Sequence, residues 1–219
     1  MTSRAEILAR VEAWARERLD GNAAAAPAAA PEAAPKVAHG WLHVDRVRRV
    51  AVLLAEAEGV DPFLAACAAL LHDVGRSVPG PEAEHGTRSA ELAAPLLAGL
   101  PLGESERQDI LFAVRWHNST RDDTPLLCVL RDADMLDGLG AIGLMRAFTS
   151  KAALPAHDPQ APLEDGPYQR PPRYITDQVR FQMEWIGFLN THAARELAQG
   201  RIEFMRAFVA QLRHEVHKG

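Results

Sequence analysis

The chain has 219 residues, of which 47% are hydrophobic and 24% are charged, and its formal net charge at pH 7 is −5. This length allows one globular domain with a large core, and the composition argues against a disordered, collagen-like or membrane-embedded chain. The acidic balance argues against binding to duplex nucleic acid, because such binders normally carry a basic surplus.

The N-terminal segment mixes charged and apolar residues and lacks the apolar core of a secretory signal. No stretch reaches the roughly 18 to 20 uninterrupted apolar residues of a membrane span. We therefore expect a cytoplasmic protein that does not engage a membrane. Cys67 and Cys128 lie in apolar runs without CxxC spacing, which predicts two buried, reduced thiols.

Apolar residues recur at spacings of three and four along most of the chain, and the alternating pattern of strands is absent. The sequence therefore predicts an all-α fold with one helical domain. Residues 1–20 are predicted to form an N-terminal helix, which spans 3–19 with Ser3 as its cap, and residues 21–38 an Ala/Pro-rich mobile loop. Residues 39–150 are predicted to form the core, 151–172 a proline-rich loop that is a candidate lid, and 173–219 C-terminal helices that complete the same domain. Helices are predicted over 43–59, 62–73, 87–98, 105–117, 125–136, 138–149, 174–198 and 201–217.

The helix predicted over 62–73 is apolar nearly all round, which is typical of a central, buried helix. Asp61 and Pro62 open it as N-cap and first-turn proline. Gly75 is predicted to end it in the left-handed conformation.

His72 and Asp73 lie at the end of this buried helix, where a carboxylate beside an imidazole is costly unless both are compensated. A metal ion is one such compensation, since neutral imidazole and carboxylate suit Zn, Mn, Fe or Co. His43 opens the preceding helix and can reach the pair by antiparallel packing. Further candidate ligands follow at successive helix ends: His85, His117 and Asp134.

Five sequence strings resemble, in the right order, the HD-domain superfamily of metal-dependent phosphohydrolases, and are similar to its small YedJ-like branch. They are HVDRVRRVA at 43–51, AALLHDVGR at 68–76, EHGTRSAELA at 84–93, RDADMLDGLGAIGLMRAF at 131–148 and FLNTHAARELAQGRIEFMRAFV at 188–209. The resemblance runs from about His39 to Val216. The Ala/Pro tract before His39 departs from the family pattern, which has a short linker there.

The resemblance implies an all-helical HD domain with one or two divalent ions per chain, among Mn, Fe, Co, Zn or Mg. The implied ligands of the first ion are His43, His72, Asp73 and Asp134. In members with two metals Asp73 bridges, and His85 and His117 stand at the positions that hold the second ion. His39 is interpreted as supporting the ligands or as having no role.

The implied reaction is hydrolysis of a phosphoester or pyrophosphate bond in a nucleotide or another small phosphorylated metabolite. Metal-bound hydroxide would be the nucleophile, with Asp73 and Arg76 as catalytic residues. Arg46, Arg76 and Arg88 are candidate phosphate-binding residues, because the guanidinium fork matches phosphate oxygens. Oligomers are compatible with the sequence.

Two other functions stay open at this point. The same ligand arrangement holds two irons in a few HD-domain relatives that oxidise a small molecule with O₂. A regulatory module that keeps the metal for stability is the other alternative.

Overall fold

Helices form every regular element in residues 2–24, 39–159 and 170–218, which are the residues that this computed structural model describes. The all-α prediction is confirmed for them. The helices are α1 Arg4–Ala24, α2 Trp41–Glu58, α3 Pro62–Leu71, α4 His85–Ala98, α5 Glu104–Trp116, α6 Pro125–Asp137, α7 Gly140–Ser150, α8 Ile175–Glu184 and α9 His192–Lys218. Short 3₁₀ turns cover Val74–Ser77, Glu82–Glu84 and Trp185–Phe188.

Helix α3 lies at the centre, as its apolar sequence predicts. Every residue from Ala65 to Leu71 is buried, and α3 packs against α1, α2, α5 and α6. One cluster of buried apolar side chains extends from Ile7 in α1 to Met205 in α9. The long segments on either side of residues 39–150 therefore share its core.

The turn between α2 and α3 follows the predicted residue chemistry. Gly59 ends α2 in the left-handed conformation at φ 69°, and the Asp61 side chain accepts a hydrogen bond from the Phe63 amide at 2.9 Å. Because this turn is short, the first turn of α2 lies beside the last turn of α3. His43 and His72 are thereby brought to the same end of the helix pair.

The predicted role of Gly75 is wrong. Helix α3 ends at Leu71, and Gly75 lies within the 3₁₀ turn Val74–Ser77. Its amide donates to Ser89 Oγ at 2.8 Å, and a Cβ at this position would collide with the His85 carbonyl and the Ser89 backbone. Glycine is required here because two backbones approach closely, not because the backbone is left-handed.

The boundaries of the terminal helices differ from prediction. Helix α1 continues to Ala24, into the segment predicted as loop, and the rest of that loop prediction lies outside the described residues. The two helices predicted over 174–198 and 201–217 break instead near residue 189, after which α9 continues through Gly200. The described part of the 151–172 loop, 151–159 and 170–172, is not helical, as predicted.

The break before α9 is fixed by Asp132 on α6, which is fully buried. Its carboxylate accepts hydrogen bonds from the amide of Asn190 at 2.9 Å, the side-chain amide of Asn190 at 2.7 Å, and both the amide and hydroxyl of Thr191 at 2.7 Å. These donors are satisfied only if the chain is extended before His192. A contact from a distant helix therefore sets the start of α9.

Both cysteines are free, but only Cys67 is buried as predicted, whereas Cys128 is half-buried. Among the described helices, none has both the length and the apolar character that crossing a bilayer requires.

Candidate metal centre

Three histidines are positioned by the same local device, because each is the residue that caps the C-terminal end of a helix or 3₁₀ turn. His72 follows α3, His85 follows the turn Glu82–Glu84, and His117 follows α5. Each donates from Nδ1 to a carbonyl three residues earlier, that of Ala69, Glu82 or Val114, at 2.7 Å. With the proton on Nδ1, the lone pair is on Nε2, which faces the interior of the site.

His43 is held by a carboxylate instead of a carbonyl. It lies in the first turn of α2 and donates from Nδ1 to Asp137 Oδ2 at 2.7 Å. Asp137 is itself fixed by Arg46, whose Nε and Nη2 donate at 2.6 and 2.9 Å, and by Arg146 at 2.9 Å. His43 Nε2 is therefore also oriented toward the site.

The carboxylate of Asp73 lies between two pairs of imidazoles. Its Oδ2 is 3.6 Å from Nε2 of both His43 and His72. Its Oδ1 is 3.3 Å from Nε2 of His85 and 3.8 Å from Nε2 of His117. One buried carboxylate thus has a separate oxygen for each pair, which is the geometry of a bridging ligand.

Asp134 completes the group on the Oδ2 side. It projects from α6, and its Oδ1 is 3.3 Å from His43 Nε2. Ligand atoms of His43, His72 and Asp134 lie within 4.8 Å of one another, as do those of His72, Asp73 and His117. All six side chains that were predicted from the sequence as metal ligands lie together in the structure.

The spacing of these atoms fits a metal ion. Two ligands bound about 2.0–2.1 Å from one ion lie about 2.8–3.4 Å apart in octahedral or tetrahedral geometry. His43 and His72 have their Nε2 atoms 3.3 Å apart, and those of His85 and His117 are 3.0 Å apart. These four nitrogens and the carboxylate oxygens are electron-pair donors that converge, so the donor set could hold one or more divalent cations.

The protonation states also suit metal binding. Burial disfavours the charged form of Asp73, but His72, His39 and Arg76 outweigh this effect and hold the pKa of the carboxyl well below its usual range. Burial lowers the pKa of His72 and His85, and lowers that of His117 to about 4. Ionised carboxylates and neutral imidazoles are the forms that bind metals.

His43 differs from the other histidines. Burial opposes its protonation, but the hydrogen bonds with Asp134 and Asp137 prevail and raise its pKa. The negative charge that stabilises a proton on His43 would equally stabilise a metal cation at Nε2.

Arg76 lies at the edge of the site. Its Nε donates to Asp73 Oδ1 at 2.8 Å, it pairs with Glu82, and its Nη2 is 3.2 Å from His85 Nε2. A cavity of about 490 Å³ opens next to it. The polar residues that line this cavity are His39, Arg76, Glu82, Arg146, Ser150, Lys151, Gln178 and Gln182.

The other two predicted phosphate-binding residues contact protein groups. Arg46 pairs with Asp137, and Arg88 donates to the carbonyls of Gly75 at 3.2 Å and Pro81 at 2.7 Å. Neither lines the cavity beside the metal centre. Their role in phosphate binding stays a prediction.

The sequence left the role of His39 open, and the structure places its Nδ1 2.9 Å from Asp73 Oδ2. The available signal was its position four residues before His43, which would place both on one face of a helix that began early. His39 instead lies in the turn before α2, so helical spacing alone could not have predicted its contact.

Comparisons with known proteins find relatives of this chain. A family model for the HD domain matches residues 40–139, a range that includes all six nominated ligands. The protein YpgQ of Bacillus subtilis (strain 168) is 31% identical over 197 residues, which are 81% of this chain and 84% of that protein. The crystal structure of Bacillus subtilis YpgQ in complex with ADP has a TM-score of 0.72 and 26% identity, covering 98% of this chain and 97% of that chain. The structure of an HD-superfamily hydrolase from Bacillus thuringiensis has a TM-score of 0.71 and 24% identity, covering 99% of this chain and 100% of that chain.

Proposed function

Since the chain belongs to the HD-domain superfamily, we propose that it is a metal-dependent phosphohydrolase acting on a nucleotide or another small phosphorylated molecule. The observation that carries this proposal is the carboxylate of Asp73, each oxygen of which faces a different pair of imidazole nitrogens. The complex of YpgQ with ADP supports a nucleotide as the substrate class. The bond to be cleaved is a phosphoester or a pyrophosphate.

In this proposal two sets of side chains hold divalent ions. The first set is His43, His72, Asp73 and Asp134, and the second is Asp73, His85 and His117. Imidazole and carboxylate donors together suit Mn, Fe, Co or Zn better than Mg, which prefers oxygen ligands. A divalent ion held there would lower the pKa of a water ligand toward about 7 and offset negative charge on the phosphoryl oxygens.

The residues of the neighbouring cavity bind and orient the phosphate group. Arg76 is 20% exposed and its Nε donates to Asp73, so a phosphoryl oxygen bound to a second Nη hydrogen of Arg76 lies near the bridging carboxylate. Arg146 and Lys151 line the same cavity and add positive charge to its wall. We assign the proton donor for the leaving oxygen to His39, because it lines the cavity and is hydrogen-bonded to Asp73.

The test is release of phosphate and pyrophosphate from a panel of nucleoside mono-, di- and triphosphates and sugar phosphates. Each substrate is assayed with Mn, Co, Zn, Mg or Fe, and with chelator. We expect release that depends on metal and falls at least about 100-fold in Asp73→Asn. The matched control is Asp109→Asn, since Asp109 is an exposed carboxylate on α5 and its replacement should leave turnover unchanged.

Absence of release with every metal would overturn the proposal. Oxygen consumption by the iron-loaded protein would then identify an oxidase or oxygenase. If the protein binds metal tightly but neither reaction occurs, the metal serves stability in a regulatory module.

A further inference from the structure

A second cavity, of about 390 Å³, has in its wall Asp137, the hydrogen-bond partner of His43. It is lined by three arginines, Arg46, Arg49 and Arg201, and by the first residues of α7, Gly140 to Ile142. The cavity beside the metal centre shares none of these lining residues. A different set of side chains therefore determines what this second cavity can bind.

The arginines carry more positive charge than their protein partners neutralise. Asp137 is the acidic residue in the cavity wall, and its carboxylate already accepts hydrogen bonds from His43, Arg46 and Arg146. Arg49 is 62% exposed; its Nη2 pairs with Asp45 Oδ2 at 3.1 Å and its Nε donates to the Asp45 carbonyl at 3.4 Å. Arg201 uses Nη1 on the Leu136 carbonyl, a neutral acceptor. The cavity is thus a concave, basic surface in a chain whose net charge is negative.

The backbone adds further hydrogen-bond donors at the same place. Helix α7 begins after Leu139, whose side chain cannot accept a hydrogen bond, so the amides of its first turn are not capped by a side chain. The first N–H groups of a helix lack partners within the helix and carry partial positive charge. A Cβ built on Gly140, which has φ 72°, would lie 3.2 Å from Cβ and Cγ of Arg201, so the stem of this side chain lies beside the start of the helix.

The remaining wall of the cavity is apolar, formed by Val50, Leu139 and Ile142. A single phosphate would not fill a cavity of about 390 Å³. Guanidinium forks and uncapped helix amides are the groups that bind phosphate oxygens in proteins. An apolar wall beside them suits the organic part of a phosphorylated molecule.

We propose that this arginine-lined cavity binds the phosphate group of a small phosphorylated molecule at a site separate from the metal centre. The guanidinium groups of Arg46, Arg49 and Arg201 and the amides of Ala141 and Ile142 bind the phosphate oxygens. The inference does not depend on the proposed hydrolase activity, because it concerns binding at other residues.

The test is an NMR titration of the full chain, stripped of metal and kept in chelator, with inorganic phosphate and separately with ADP. The amide signals of Ala141 and Ile142 report on the arginine-lined cavity, and the indole N–H signal of Trp185 reports on the cavity beside the metal centre, which Trp185 lines. Both ligands should shift the Ala141 and Ile142 signals at concentrations that leave the Trp185 signal unmoved. ADP should bind more tightly than phosphate, because it also contacts the apolar wall.

Variants assign the binding to these arginines. The double variant Arg49→Gln/Arg201→Gln should weaken phosphate binding about tenfold, and the exposed single variant Arg49→Gln about threefold with the fold intact. Arg206→Gln is the control, because Arg206 is exposed on α9, the helix that carries Arg201. In Asp73→Asn, phosphate should shift the Ala141 and Ile142 signals with the same affinity as in the wild type.

Three results would overturn the inference: no shift at Ala141 and Ile142, equal affinity in the double variant, or loss of binding in Asp73→Asn. Binding of phosphate without binding of ADP would refute an organic ligand in this cavity. Phosphohydrolase activity can fail in a protein that passes this test, so the two proposals are separable.

Discussion

Replacing Asp132 by alanine is expected to lower the free energy of unfolding by about 3–5 kcal/mol. The carboxylate is fully buried and accepts hydrogen bonds from the backbone and side chains of Asn190 and Thr191. A hydrogen bond to a charged acceptor contributes about 1.5–3 kcal/mol, and truncation leaves these donors without their partner in the interior. Water that enters the space left by the carboxylate keeps the total below the sum of the separate bonds.

Urea unfolding followed by circular dichroism measures this loss. For a chain of this size each kcal/mol corresponds to about 2–4 °C in Tm, so the midpoint of thermal unfolding should fall by about 6–20 °C. Hydrogen exchange of the Asn190 and Thr191 amides should accelerate, because their acceptor is removed. Metal affinity should stay within about threefold of the wild type, since Asp132 contacts none of the candidate ligands.

Asp109→Ala is the matched control, since this exposed carboxylate on α5 should change stability by less than about 0.5 kcal/mol. Asp132→Asn keeps the shape of the side chain but turns one acceptor into a donor facing the Thr191 amide and hydroxyl, so it should also destabilise. A loss below about 1 kcal/mol in Asp132→Ala would refute the conclusion that Asp132 fixes the start of α9.

Three further measurements test the site and the core. In calorimetric titrations with Mn or Zn, His72→Gln should remove the first of two binding events and His85→Gln the second. Asp73→Asn should weaken both events. Loss of one and the same event in all three variants would refute the existence of two sets of ligands. The second event should be the weaker, because Arg76 places a positive charge 3.2 Å from His85 Nε2. Without metal, stability should fall as the pH falls from 6.5 toward 4, since burial lowers the pKa of His117 to about 4 and only the unfolded chain takes up the proton in this range. The full shift corresponds to about 3 kcal/mol; urea midpoints measured across these pH values should show it, and a His117→Gln variant with the same slope would contradict the assignment. Burial raises the pKa of the Cys67 thiol to about 12, so in native Cys128→Ala protein iodoacetamide should label almost nothing until denaturant is added, whereas rapid native labelling would show that α3 is not central.

The candidate ligands were predictable because the residue types that identify them lie within a few positions of each other in the sequence. An imidazole and a carboxylate at the end of an apolar helix need compensation wherever that helix lies, and His72 and Asp73 could be nominated on that ground alone. Asp61, Pro62 and Gly59 likewise specify their turn through residue types that act within a few positions.

The missed features depend on contacts between distant parts of the sequence. Arg46 contacts Asp137, and Asp132 contacts Asn190, only once α2, α6 and α9 have packed. The spacing of residues within one helix does not predict such pairs. The role of Gly75 was predicted wrongly for the same reason, since the backbone that approaches this glycine belongs to α4. Helix periodicity describes which side faces the core but not which partner lies there.

The hydrogen bonds of His72, His85 and His117 to carbonyls three residues earlier separate two requirements of a metal site. The tautomer and ring direction of each imidazole are set within one helical or 3₁₀ turn, whereas the distances between the rings are set by how the helices pack. Each helix end is therefore a self-contained ligand that carries its own orienting group. A change in packing can alter the size of the site, and hence its preference among ions, without disturbing the proton on any Nδ1. The same short unit could be transferred to the end of another helix to build a metal site in an unrelated scaffold.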